Sequence, residues 1–248
     1  MDGRIQQRRR EVRDEQRRRR LRRSISVAVT LVVLAGLVAL ERSPLVALED
    51  VQVVGTERLA VDDVLAAADV PLGTSTVRVR LDAIADRVES LPLVHAATVH
   101  RADPLTVRIE VEERTPVLVV AGDDGQVLID REGVVIDTDG HPALVTVAID
   151  GPTPSVGATV AADDALANAH AVWQGLSGPL RAAVGRYLAG GPDDLTLELT
   201  SGVEVDFGRA ERMDEKVRAL GAVLEDIGTV TVERIDVRAP RAPVVIGE

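Results

Sequence analysis

From Ser24 to Leu40 the chain runs SISVAVTLVVLAGLVAL, 17 residues without a charge. As a helix this stretch spans about 26 Å at ~1.5 Å per residue, near the thickness of a hydrocarbon core. It has no polar face, so it does not read as a soluble amphipathic helix. Downstream the pattern becomes periodic. Val51, Val53 and Val54 suggest a short strand turned by Gly55. Val61, Val64, Leu65 and Ala68 recur at helical spacing, as do Leu81, Ile84, Ala85, Val88 and Leu91 before Pro92. Ala97 and Val99 predict a strand. After a turn at Asp103-Pro104, Leu105, Val107, Ile109 and Val111 alternate with polar residues, as a half-buried strand requires. The order strand–helix–helix–strand–strand over 48–114 predicts a small α+β domain with helices on one face of its sheet.

A second module, residues 115–238, reads as a mostly antiparallel β-domain with flanking helices. It opens with an apolar strand, Val117–Val120, and a hairpin over Gly125–Asp137 around Glu132-Gly133. His141-Pro142 and Gly151-Pro152 punctuate loops, and Gly190-Gly191 reads as a turn. Asp163 is placed to cap a helix carrying Leu166, Ala169, Trp173 and Leu176, with the Trp in the core. Leu195, Leu197 and Leu199, then Val203, Val205 and Phe207, alternate with polar residues around Ser201-Gly202. Met213, Val217, Leu220, Leu224 and Ile227 share one helical face. A last strand covers Val230 to Val237, with a parity change that suggests a bulge near Glu233-Arg234. Residues 239–248 are left as a C-terminal tail.

Charge gives these modules a topology. The chain's net charge of −11 hides a basic tail: eleven arginines stand against four acidic residues in residues 1–23, a net +7. Beyond Leu40 the balance is 18 basic to 36 acidic, a net −18. The positive-inside rule then predicts an uncleaved single-pass anchor over 24–40, with the tail in the cytoplasm and residues 41–248 outside. No small-x-small cleavage site follows the apolar run, which argues against a signal peptide. Arg20, Arg22, Arg23 and Arg42 flank the span, where they can snorkel and meet anionic lipid.

Composition narrows the chemistry. The absence of cysteine excludes disulfides, thiolate metal sites and thiol catalysis. One Trp, one Tyr and one Phe do not make a stacking platform for single-stranded nucleic acid. His95, His100, His141 and His170 lack metal-ligand spacing, and no nucleophile elbow or P-loop occurs. The pairs Asp62-Asp63, Asp123-Asp124, Asp163-Asp164 and Asp193-Asp194 fall at loop or cap positions. The expectation is a protein with no enzymatic activity, cofactor, metal, nucleic-acid partner or small-molecule substrate.

Several strings carry a resemblance. Val51-Gln52-Val53-Val54-Gly55 is followed by L-P-L-V-x-x-A-x-V-x-R-x-x-P-x-x-V-x-I-x-V-x-E-R-x-P from Leu91 to Pro116. Next come L-x-D-x-x-G-x-V (Leu128 to Val135) and L-x-L-x-x-G-x-x-V-x-F-G (Leu197 to Gly208). Lys216 and I-D-V-R-A-P (Ile235 to Pro240) complete the series. In this order they resemble the FtsQ/DivIB cell-division family, with a POTRA domain followed by a β-domain. The resemblance implies a plasma-membrane divisome protein enriched at the septum, which links septal peptidoglycan synthesis to the division ring by binding FtsB and FtsL. It places partner binding on the C-terminal face of the β-domain, hence at Lys216, Val232, Ile235, Val237, Arg238 and Ala239. Some relatives carry an aromatic contact residue where Ala239 stands here. The bare pattern makes Val232, Ile235 and Val237 equally good core residues, with Arg238 and the strand backbone as the exposed contacts. The POTRA resemblance alone also fits an anchored assembly or transport chaperone for extended polypeptides.

Overall fold

A computed structural model describes residues 25–36, 39, 47–138, 143–160, 164–227 and 232–247. Residues 25–36 form a helix, α1, whose side chains are exposed. It lies within the predicted span 24–40, but the rest of that span except Ala39 is outside the described residues. So are the basic tail, with Arg20, Arg22 and Arg23, and Arg42. Among the described residues no helix is long and apolar enough to cross a membrane.

The chain divides into two compact units. The first comprises residues up to 54 with 61–86 and 98–110; the second takes 55–60, 87–97 and 111–248. Of the first predicted module, residues 55–60, 87–97 and 111–114 thus group with the second unit.

The predicted order of the first module holds: β1 (Asp50–Val54), α2 (Val61–Ala68), α3 (Leu81–Glu89), β2 (Val94–Asp103) and β3 (Thr106–Glu113). The three strands form one sheet in the order β1-β3-β2. β1 runs parallel to β3, with Asp50 opposite Thr106 and Val54 opposite Glu110. Parallel pairing demands a crossover, which the two helices supply. Leu48, Val64, Ala68, Ile84, Val107 and Ile109 are buried, so the helical and the period-2 positions both point inward. A 3-10 turn at Thr76–Arg78 had no periodic signal.

The second unit is built on a nine-stranded sheet. Its members are β4 (Pro116–Gly122), β5 (Gly125–Asp130), β6 (Val135–Asp137), β7 (Thr146–Ile149), β8 (Val184–Gly191), β9 (Asp194–Leu199), β10 (Glu204–Asp206), β11 (Val232–Asp236) and β12 (Val244–Gly247). The spatial order is β12-β11-β10-β9-β8-β7-β4-β5-β6. The hairpins are antiparallel, whereas β4–β7, β7–β8 and β10–β11 are parallel. Helices α4 (Ala165–Gly175) and α5 (Gly178–Ala183) make the crossover from β7 to β8, and α6 (Met213–Ile227) makes the one from β10 to β11. Trp173, Tyr187, Leu197, Phe207, Leu220 and Ile235 belong to the core beneath.

Four corrections follow. β7 and β8 are strands that the pattern did not announce, and Gly190-Gly191 ends β8 instead of making a free turn. Asp164, not Asp163, caps α4 by accepting a hydrogen bond from the Leu166 amide at 2.9 Å; Asp163 is outside the described residues, as are His141-Pro142 and Val230. The stretch 239–248 is not a plain tail, because it returns as β12. Consequently β11 is not the terminal strand of the sheet. The bulge expected near Glu233-Arg234 is present as a register shift between Val232 and Arg234.

Candidate partner-binding edge

A sheet has two edges, and each leaves a row of backbone donors and acceptors to satisfy. On the β6 side this is done within the chain. The Val135 amide donates to the Ala158 carbonyl at 2.9 Å, and the Gly157 amide to the Val135 carbonyl at 2.7 Å. The Val160 amide donates to Gly133 at 3.0 Å. Asp130, buried beneath this hairpin, accepts from the Val134 amide at 2.7 Å and from the Arg114 guanidinium at 2.5 Å. Burial pushes its carboxyl up, but these donors and the Arg114 charge outweigh that and hold it below the usual carboxylate range. Gly133 has φ +82°, and a Cβ there would come within 2.7 Å of Val160.

On the β12 side the described residues offer no such cover. The sequence around it explains why the chain returns at all. The Asp236 carboxylate accepts from the Arg238 amide at 2.9 Å, and the Ala242 amide donates to the Ala239 carbonyl at 3.0 Å. These bonds make a tight reversal, after which Pro243 leads into Val244. β12 then pairs antiparallel with β11: Val244 opposite Asp236, Val245 opposite Ile235, Ile246 opposite Arg234. Val244, Val245 and Ile246 remain 53 %, 44 % and 49 % exposed. An apolar edge strand with one side paired and the other bare is a template for another strand.

The face beside this edge is charged and register-matched. Along one row stand Arg186, Glu198, Glu204, Arg234 and Ile246, on adjacent strands from β8 to β12. Glu198 directly opposes Glu204, a repulsive pair that Arg234 relieves with a 2.5 Å contact to Glu204 and a 3.3 Å contact to Asp206. Asp236, beside Asp206 on the next row, is held below the ordinary carboxylate range by hydrogen bonds from Arg238.

The expected site residues divide sharply here. Arg238 and Ala239 are exposed. Ile235 and Val237 are buried in the core, and Val232 is half-buried against it. Lys216 is buried too: its ammonium donates to the carbonyls of Phe207 at 2.7 Å and Arg209 at 2.8 Å, and lies 5.0 Å from the Phe207 ring centroid. Burial, with the Arg212 charge nearby, lowers its pKa. Ile235, Val237 and Lys216 are thus interior, whereas Val232 keeps part of its surface open. The Val244–Ile246 segment was the missed element. Its signal was a short apolar run bounded by Pro243 and Gly247.

Elsewhere the candidate chemistry resolves into structure. Asp62 and Asp63 occupy the first turn of α2, and Asp124 accepts from the Thr153 amide at 2.7 Å. His170 is buried and stacks on Trp173 at 5.9 Å, while Arg181 lies 4.5 Å over the same indole. Glu113, at the end of β3, gathers the amides of Glu57, Arg58 and Leu59 at 2.8, 3.1 and 2.9 Å. Among the described residues no cluster of His, Cys, Asp and Glu is arranged for a metal.

Comparison with known proteins agrees with this architecture. Residues 46–114 match the model of a POTRA domain, FtsQ-type, and residues 118–238 match that of Cell division protein FtsQ/DivIB, C-terminal. A cell division protein FtsQ from Streptomyces collinus is 35 % identical over 241 residues, covering 92 % of this chain and 89 % of that one. The chain belongs to the FtsQ/DivIB family. The Mycolicibacterium smegmatis FtsQ is 37 % identical over 216 residues, 87 % of this chain, and the chain spans 61 % of that longer protein. The Mycobacteroides abscessus FtsQ is 35 % identical over 225 residues, with 87 % and 68 % covered. Relative to the FtsQ-type C-terminal domain, which ends in the match at 238, β12 lies wholly beyond the matched segment.

Proposed function

We propose that this chain is a non-enzymatic adaptor of the divisome. Anchored once in the plasma membrane by residues 24–40, it places both units outside the cytoplasm and gathers at the septum. There it docks FtsB- and FtsL-type proteins and so couples septal peptidoglycan synthesis to the division ring. The observation that carries the docking is the bare apolar edge of β12. A partner segment pairs with the β12 backbone, and the row of Arg186, Glu198, Glu204 and Arg234 selects its side chains. Arg238 and Ala239 border the same edge. Arg20, Arg22, Arg23 and Arg42 hold the anchor's flanks against anionic lipid.

Co-purification of the full chain with FtsB- and FtsL-type proteins from detergent tests this reading. A stable complex that Val245→Pro abolishes, with thermal unfolding unchanged, supports it, because proline removes a backbone donor and a Val side chain from the edge. Equal retention of unrelated unfolded polypeptides would instead favour an assembly or transport chaperone. A fluorescent fusion spread evenly over the membrane of dividing cells would overturn the septal role.

A further inference from the structure

The first unit carries a second exposed apolar feature, at the place where the chain enters it. The loop from Asp69 to Arg80, between α2 and α3, is bound to the entry segment by backbone hydrogen bonds. The Leu48 amide donates to the Thr74 carbonyl at 2.8 Å, the Gly73 amide to the Leu48 carbonyl at 2.8 Å, and Ala47 bridges Ser75. The loop is well braced: Arg101 donates to the Thr76 and Val79 carbonyls, and the Thr76 hydroxyl to the Pro104 carbonyl. Yet Leu72 is 62 % exposed and Val77 is 70 % exposed. A braced loop that holds two aliphatic side chains outward has spent hydrophobic surface that it could have buried.

We infer that this loop rests on the lipid surface, with Leu72 and Val77 entering the interface. The inference rests on the membrane anchor proposed above. Seven residue steps separate Leu40 from Ala47, so the entry end lies within about 25 Å of the end of the anchor even when fully extended. The loop shares that end, whereas β1 leads away from it to Val54, which pairs with Glu110. Charge does not drive the contact. Arg78 and Arg80 flank Val77, but Asp69, Glu49 and Asp50 lie on the same segments, Asp82 begins α3 and faces Arg80 at 3.4 Å, and Asp103 ends β2. The occupant is therefore an apolar interface reached by insertion, with little dependence on anionic lipid.

The chain has no cysteine, so single positions can be labelled without background. Full-length protein with an environment-sensitive fluorophore at Leu72→Cys, Val77→Cys, Glu110→Cys or Leu34→Cys is reconstituted into phosphatidylcholine vesicles, with and without phosphatidylglycerol. Nitroxide lipids labelled at the headgroup or deep in the acyl chain serve as quenchers. We expect the headgroup nitroxide to quench positions 72 and 77 several-fold more than position 110, in both lipid mixtures. Leu72→Asp should abolish quenching at 77. Quenching at 34 by the deep nitroxide, with 72 and 77 no more quenched than 110, would overturn the loop contact and leave the anchor standing. Absence of quenching at 34 would overturn the anchor and the loop contact together.

Discussion

The two edges of the nine-stranded sheet are opposites. At β6 the chain closes its own edge with residues 157–160, and the buried Asp130–Arg114 pair locks the hairpin from below. At β12 three aliphatic residues stand in solvent with one side of the strand unpaired among the described residues. The same fold thus covers one edge and exposes the other. The closed edge is the place to look for stability, and the open one, on the proposed function, for binding.

Substitutions separate the two roles. The largest effect on folding is expected at Asp130→Ala, which removes the acceptor for Val134 and the shortest ion pair of the half-buried Arg114 guanidinium, leaving it the Val94 carbonyl and the longer Glu132 contact; about 3 kcal/mol should be lost in denaturant unfolding. Partner capture should survive below the lowered melting temperature. Gly133→Ala comes next, at about 1–3 kcal/mol, because it combines a left-handed backbone with a clash against Val160. Val245→Pro reverses the outcome: the melting temperature stays put while the partner complex disappears.

How much of this contrast was legible beforehand depended on periodicity. β3, β9 and α6 alternate or repeat cleanly, so they were readable, and so was the hairpin that becomes β5 and β6. β8 was not, because Gly185 and Arg186 break its apolar run and Gly190-Gly191 imitate a turn. Yet β8 carries Tyr187 in the centre of the core. β12 was overlooked because it is four residues long and exposed, so it shows neither a helical nor a period-2 pattern. The family motif drew attention to Ile235 and Val237, whose side chains are interior. A signature that includes core positions marks the strand without marking which of its side chains stand outside. Lys216 shows the same confusion, since a lone lysine on an amphipathic helix suggests a surface until Phe207 and Arg209 are seen to take its protons as hydrogen bonds.

Smaller effects test the Glu113 carboxylate and the charged face. Glu113 is pushed up by burial, yet the amides of Leu59, Glu57 and Arg58 and the Arg58 charge hold its carboxyl below the ordinary value. Unfolding frees it to bind a proton at higher pH than the folded chain does. Its contribution is therefore full above the ordinary carboxylate pKa and fades as pH falls through the depressed one. Glu113→Gln should cost about 1 kcal/mol at neutral pH and flatten the acid limb of the stability profile, read by unfolding at stepped pH. Arg234→Ala should change stability by no more than about 0.5–1 kcal/mol, since its ion pairs are solvent-exposed. Its effect should appear in partner selectivity instead.

The central claim is that a partner strand pairs with β12. Amide hydrogen exchange on the full chain, alone and in complex with FtsB- and FtsL-type proteins, reads this directly. The account predicts that the amide of Val245, which faces away from β11, exchanges freely alone and becomes protected in the complex, while those of Val135 and Gly157 are protected in both. A stable complex in which the Val245 amide still exchanges as in the free protein would contradict it.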